Sequence, residues 1–274
     1  MRVDAHQHFW RYTPEEYGWL DGPLAALRRD FQPADLAPLL TAAGVEGTVA
    51  VQARQSLEET SWLLDLAATQ PFIRGVVGWV PLATRDVGRV LDTFAAKSLL
   101  KGVRHVVQGQ PPGFLDALAF NTGLREVTAR GLTYDILIFA NQLEEAIRLV
   151  DRHPQQAFVL DHIAKPVVQG PPPAAWCRQL RELARRENVC CKFSGVVTEV
   201  PDFSWTPGLL SPYFEETLAA FGPPRLMFGS DWPVCLAATD YVRWHGFVAS
   251  CTSPLSLPEQ AAVLGGTAAR FYHL

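Results

Sequence analysis

Three histidines and one aspartate stand where this 274-residue sequence could assemble a site for activating water. His6 and His8 lie in Val-Asp-Ala-His-Gln-His, which reads as a strand, and the strand pleat sends alternate side chains to one face. That pattern places Asp4, His6 and His8 together, with Val3, Ala5 and Gln7 opposite. His162 ends Phe-Val-Leu-Asp-His, and Asp231 follows an apolar run in Phe-Gly-Ser-Asp-Trp-Pro. Imidazoles converging on a carboxylate can bind a borderline divalent metal, zinc foremost, or can activate water without one. Taken singly, His162 reads equally well as a core histidine and Asp231 as the cap of a turn before Pro233. Their joint placement is what points to a site.

The elements that must position these groups are eight short runs rich in Val, Ile and Phe. They are Val3 to His8, Gly47 to Gln52, Gly75 to Val80, Gly102 to Val107, Leu132 to Phe139, Ala157 to His162, Val189 to Ser194 and Leu226 to Gly229. Stretches of helical periodicity lie between them, the signature of consecutive strand–helix units on a parallel sheet. Ser56 with Glu59 and Ser256 with Glu259 have capping-box spacing. In the helix that Ser56 opens, Trp62, Leu63, Leu66 and Ala67 share a side while Glu58, Glu59 and Asp65 suit water. Eight units at roughly thirty-residue spacing predict one α/β domain over residues 1–274, a (β/α)8 TIM barrel. An open doubly wound sheet would bring a glycine-rich phosphate turn, and the sequence has no G-x-G-x-x-G.

In a barrel, catalytic groups gather at the carboxyl ends of the strands, so all four candidates fall on one rim. Arg104 and His105 on strand four and Arg54 after strand two are candidate donors to substrate, and Trp10 and Trp232 are candidate stacking surfaces for a substrate ring. Lys165 and Lys192 could also line the mouth, although a lysine paired with a carboxylate is the plainer reading. The connection from Phe9 to Gln32 is long and rich in aromatic residues. It is either a small hydrophobic cluster or a cover for substrate.

A formal net charge of -4 and basic residues interleaved with acidic ones leave no field for a nucleic acid partner. No apolar run is long enough to span a membrane, and MRVDAHQHFW lacks the apolar core of a signal peptide. Five cysteines with no C-x-x-C pair suit a reducing compartment, and the expected location is cytoplasmic. Oligomeric state stays open. A serine nucleophile lacks the G-x-S-x-G elbow, since Ser194 in Phe-Ser-Gly has no glycine two residues before it.

The segments DAHQHFW, KGVRHVVQ, FVLDHIAKP, FGSDWPVC and GGTAARFY together resemble the amidohydrolase-related family of sugar-lactone hydrolases. Thr267 replaces the asparagine expected in the last of them. The resemblance implies a barrel in which His6, His8 and Asp231 surround the scissile carbonyl and His162 supplies the histidine of D-H-x-x-K-P. It implies a small-molecule substrate, an aldonolactone such as L-fuconolactone or L-rhamnonolactone. Asp231 would be the general base, and the three histidines, or one metal held by His6, His8, His162 and Asp231, would stabilise the oxyanion. Both the metal-bound and metal-free modes stay open, whereas strands four and five lack the lysine and histidine of two-metal relatives. The alternatives are a hydrolase or decarboxylase acting on an unsaturated dicarboxylic lactone or aromatic acid, and a silent barrel that binds a sugar acid.

Overall fold

The apolar runs become eight strands in a computed structural model that describes residues 1–274. They are β1 Val3–Gln7, β2 Gly47–Val51, β3 Ile73–Gly78, β4 Leu100–Val106, β5 Thr133–Leu137, β6 Phe158–Leu160, β7 Val189–Phe193 and β8 Leu226–Phe228. All neighbours pair in parallel in the order β1 to β8, with helices in the connections: a (β/α)8 barrel. The first and last strands meet through two backbone bonds beyond the end of β8. Asp231 N–H donates to the His6 carbonyl at 2.8 Å, and His8 N–H donates to the Trp232 carbonyl at 2.6 Å. Closure therefore uses the segment that carries the candidate aspartate. No helix is long and apolar enough to cross a membrane.

Two apolar clusters account for the packing. Val3, Ala5, Val49, Val51, Val77, Val159, Cys190 and Met227 form a small cluster inside the barrel, against Ala268 and Tyr272 of the C-terminal segment. The larger core lies between the outer faces of the strands and the helices, where Val76, Val103, Tyr134, Ile136, Leu160 and Phe193 point outward.

The simple alternation expected for β1 fails at one place. Asp4 pairs with Thr48 and Gln7 with Ala50, so β1 spends one residue more than β2 over that interval. Such a bulge turns two successive side chains to one face. Ala5 packs in the interior cluster, and His6 also faces the interior groups. Asp4 is thereby separated from the histidines. Its carboxylate accepts from His6 N–H, Ser230 N–H and the Tyr241 hydroxyl on the outer helix Tyr241–Thr252.

Helix α1 (Pro33–Ala43) follows the long first connection, and α2 (Leu57–Thr69) follows β2. Ser56 accepts from Glu59 N–H as expected, but the Glu59 side chain is buried rather than wet. It turns back to accept from Ala53 N–H and Arg54 N–H and meets the Tyr17 hydroxyl at 3.4 Å. Three donors from the loops outcompete water. Ser256 and Glu259 do form the complete capping box.

The Phe9 to Gln32 connection forms the small hydrophobic cluster and also reaches a cavity. Trp10 and Phe31 exchange backbone bonds at 3.0 Å and, with Phe9, Tyr17, Leu20 and Leu27, sink into the core. Glu16, Trp19 and Leu24 from the same segment line a cavity over the strand ends.

Candidate active site

β6 stops at Leu160, two residues before the expected end, because the chain there enters a left-handed turn. His162, Ile163, Ala164 and Lys165 all have φ between +48° and +63°, a conformation costing L-residues about 1–2 kcal/mol each. Four such residues in succession persist only where the surroundings hold them. Trp176 Nε1 donates to the Ile163 carbonyl, and Lys165 N–H closes on the His162 carbonyl at 2.8 Å. The turn brings His162 against the barrel axis and Lys165 over the cavity. Asp231 also has positive φ, +57°, within the backbone junction that closes the barrel.

His6, His8, His162 and Asp231 are thus brought together as expected, each at most 5% exposed. His8 Nε2 lies 3.2 Å from Asp231 Oδ1 and 3.2 Å from His6 Nε2. Asp231 Oδ1 is 3.7 Å from His6 Nε2 and 3.9 Å from His162 Nε2. Gly195, at φ +66°, leaves room beside them. A Cβ there would stand 2.6 Å from His162 Nδ1 and 2.9 Å from Asp231 Oδ2, so no side chain fits.

One backbone group fixes a ring proton. The Val51 carbonyl, 2.8 Å from His8 Nδ1, can only accept, so Nδ1 carries hydrogen and Nε2 presents a lone pair. Both nitrogens of His6 meet cationic donors, Nε2 the Arg104 guanidinium and Nδ1 the Lys192 ammonium, each at 3.2 Å, and Nδ1 also faces Asp161 Oδ1 at 3.3 Å. His6 Nε2, His8 Nε2 and Asp231 Oδ1 converge within 3.7 Å of one another. This donor set suits a divalent metal: two ligands each about 2.0–2.1 Å from a tetrahedral zinc stand about 3.3 Å apart. His6, Asp161 and His162 form a second overlapping group of close ligand atoms.

Burial raises the Asp231 carboxyl, but the imidazoles of His162, His8 and His6 outweigh it and hold the group well below the usual carboxylate range. Burial also pushes His162 down to about 4 and His6 well below its ordinary value. Near neutral pH an ionised Asp231 sits among uncharged His6 and His162.

Below His6 lies a buried charged quartet that the sequence did not announce as a unit. Lys192 Nζ is 2.5 Å from Asp135 Oδ2, 3.0 Å from Asp161 Oδ1 and 3.2 Å from His6 Nδ1. Arg104 bonds Asp161 Oδ2 at 3.1 Å, the Gln52 side chain at 2.9 Å and the Gln52 carbonyl. The Tyr272 hydroxyl donates to Asp135 from the C-terminal segment. Asp161 was visible only as the first letter of D-H-x-x-K-P, whereas its partners lie on other strands.

The cavity above has a volume of about 560 Å³. His8, His162, Asp231 and Arg104 reach its floor; Arg54, Gln55, Gln108, Lys165 and Glu199 stand among its polar walls, and Trp19, Val106, Leu137 and Phe203 among its apolar ones. Arg54 is there as expected, paired with Glu16 and 3.9 Å from Glu59. Three expected substrate contacts are not. Trp10 is fully buried, its Nε1 donating to the Arg29 carbonyl, and Trp232 packs between Phe9 and Phe31. His105 accepts from Trp79 Nε1 and stacks on Phe114, off the cavity wall. Their aromatic surfaces are already spent on core packing. Trp19, from the aromatic-rich Phe9 to Gln32 connection, is the tryptophan at the cavity.

Residues 3–274 match the amidohydrolase family model, and the chain belongs to that family. A relative in Burkholderia multivorans, named L-fucono-1,5-lactonase, is 39% identical, the match covering 100% of this chain and 96% of the relative. A second of that name, in Burkholderia ambifaria, is 35% identical over 100% of this chain and 96% of its own length. An amidohydrolase crystal structure from Burkholderia multivorans with bound zinc superposes with a TM-score of 0.96 at 38% identity, covering 100% of this chain and 99% of that one.

Proposed function

We infer that the chain opens a lactone by adding water to its ester carbonyl, and that the lactone is that of a neutral sugar acid. The observation that carries this reading is the charge pairing of the cavity wall. Each basic side chain that lines it already has a carboxylate: Arg54 has Glu16, Lys165 has Glu199 and Arg104 has Asp161. A dicarboxylic lactone or an aromatic acid would bring its own carboxylate against one of them. Sugar hydroxyls, which both donate and accept, can bond to a pair without parting it. The printed names of the Burkholderia relatives make L-fucono-1,5-lactone the first substrate to try, with L-rhamnonolactone beside it.

In this reading Asp231 takes the proton of the attacking water. It is ionised at neutral pH and so free to accept; the depressed carboxyl makes it a weak base but an acid that returns the proton readily to the departing ring oxygen. In the metal-free mode His162, at the cavity floor with Nδ1 bonded to the Ser194 hydroxyl, polarises the carbonyl oxygen. His6, His8 and Asp231, with His162 beside them, are the residues that would hold a divalent metal, zinc by its ligand set, which when bound supplies Lewis-acid polarisation.

A panel of sugar lactones and pyrone carboxylates, read by acid release with added zinc and with chelator, tests both points. Turnover of the sugar lactones and not the pyrones is expected. Preference for the dicarboxylic lactone would reject the neutral substrate, and lactone binding without ring opening would mark a silent binding barrel. Loss of turnover on chelation, restored by zinc, is expected for the metal-assisted mode; full activity at zero metal content overturns it.

A further inference from the structure

We propose that Lys165 and Glu199 form a subsite that reads adjacent hydroxyls of the substrate and turns anionic lactones away. This rests on the lactone reading above. The two side chains reach the cavity from the loops after β6 and β7 and meet at 3.0 Å, 18% and 15% exposed. Their backbones are anchored rather than free. Val168 N–H donates to the Glu199 carbonyl at 3.0 Å, tying the loops together, and Lys165 belongs to the left-handed turn that also sets His162. A subsite built on that turn keeps a fixed relation to the reacting groups.

The pair also has bonding capacity to spare. An ammonium has several donors and a carboxylate several lone pairs, and one contact uses one of each. Two neighbouring hydroxyls can accept from Lys165 and donate to Glu199 at once. A substrate carboxylate brought to the same place meets the like charge of Glu199. Thr198 borders the same wall, but its hydroxyl is committed to the Gly195 carbonyl at 2.8 Å.

The test compares wild type, Glu199→Gln and Lys165→Met on three substrates: a sugar lactone, its analogue lacking one ring hydroxyl, and a lactone bearing a carboxylate. Both variants should lose about tenfold in kcat/KM on the sugar lactone, mainly through KM, the size of one lost hydrogen bond to a charged group. The ratio between the hydroxylated and deoxy substrates should fall toward one, and Glu199→Gln should gain on the anionic lactone. A ratio unchanged from wild type in both variants overturns the subsite. If wild type opens no lactone, the lactonase reading is what fails. Calorimetric binding of the same intact lactones then decides the subsite: selective loss of the hydroxylated ligand in the variants supports it, and equal affinities overturn it.

Discussion

Two sets of ion pairs flank the histidine cluster, and they differ in their surroundings. Beneath it, Lys192, Asp135, Asp161 and Arg104 meet with side chains no more than 4% exposed. Above it, Arg54–Glu16 and Lys165–Glu199 stand in a cavity wall with one edge in water. Taking four charges out of water is expensive, so the lower set is a poor device for gaining stability. It is a good device for orienting a neighbour, because Lys192, Asp161 and Arg104 each lie within 3.3 Å of a His6 ring nitrogen. The upper pairs contribute little to stability but keep unused donors and acceptors. One chemistry, at two depths, holds a catalytic group still in one place and stays available to a ligand in the other.

The largest expected effect lies at the cluster between them. Asp231→Asn removes the base with almost no change in volume, and kcat should fall by about 10²–10⁴ while circular dichroism and the unfolding midpoint stay close to wild type. Turnover near the wild-type rate would dismiss Asp231 as the base. Next comes a direct contrast of depths by urea unfolding. Lys192→Met strands Asp135 without its cation, leaves Asp161 with Arg104 alone, and should cost about 3–5 kcal/mol, whereas Lys165→Met should cost less than about 1 kcal/mol. Similar costs for the two would erase the distinction.

The depth of a residue was the hardest thing to read from sequence. The barrel was legible because each strand carries its own apolar run, and the four clustered residues were legible because they lie near or just past the carboxyl ends of such runs. The bulge that separates Asp4 from His6 was not, since a register shift depends on how β1 meets β2 and leaves no mark in β1 alone. Trp10 looked available for a sugar, but its burial is decided by Phe31, twenty-one residues on, which packs in turn on Trp232 from the other end of the chain. Lys192 does pair with a carboxylate, the plainer of its two readings, but its partner Asp135 emerged only where β5 and β7 meet inside the barrel. Glu199 had no local signal at all, because its partner and its cavity both come from other loops.

Glu59 connects the two depths, since it is buried yet bonds to the loop that carries Arg54. Burial, partly offset by the Arg54 and Ala53 amides and the Arg54 charge, pushes its carboxyl from 4.5 up to about 7. The unfolded chain therefore loses this proton earlier than the folded one. Between about pH 4.5 and 7 the group makes stability fall as pH rises, with the full penalty, on the order of 3 kcal/mol, present above the folded value. Glu59→Gln abolishes that titration. Measured against wild type by urea unfolding, the variant should gain ground steadily from pH 5 to pH 8, and a pH-independent difference would contradict the buried assignment.

The smallest effect concerns the rim alone. Glu16 is 44% exposed on its side chain and pairs with an Arg54 that is 22% exposed, so Glu16→Gln should move stability by less than about 1 kcal/mol. Its consequence for binding is of another kind, because Arg54 loses its rim carboxylate while Glu59 remains 3.9 Å away below. A guanidinium so released can take a carboxylate of a ligand, and anionic lactones should inhibit sugar-lactone turnover about tenfold more strongly than in wild type, the size of one charge-assisted bond. Lysine at position 54 in the same background should recover less of that inhibition, for an ammonium lacks the planar fork that grips two oxygens. Inhibition unchanged by Glu16→Gln would mean that the Arg54–Glu16 pair does not set the charge preference of the cavity, and the choice of neutral substrates would then rest on Lys165–Glu199.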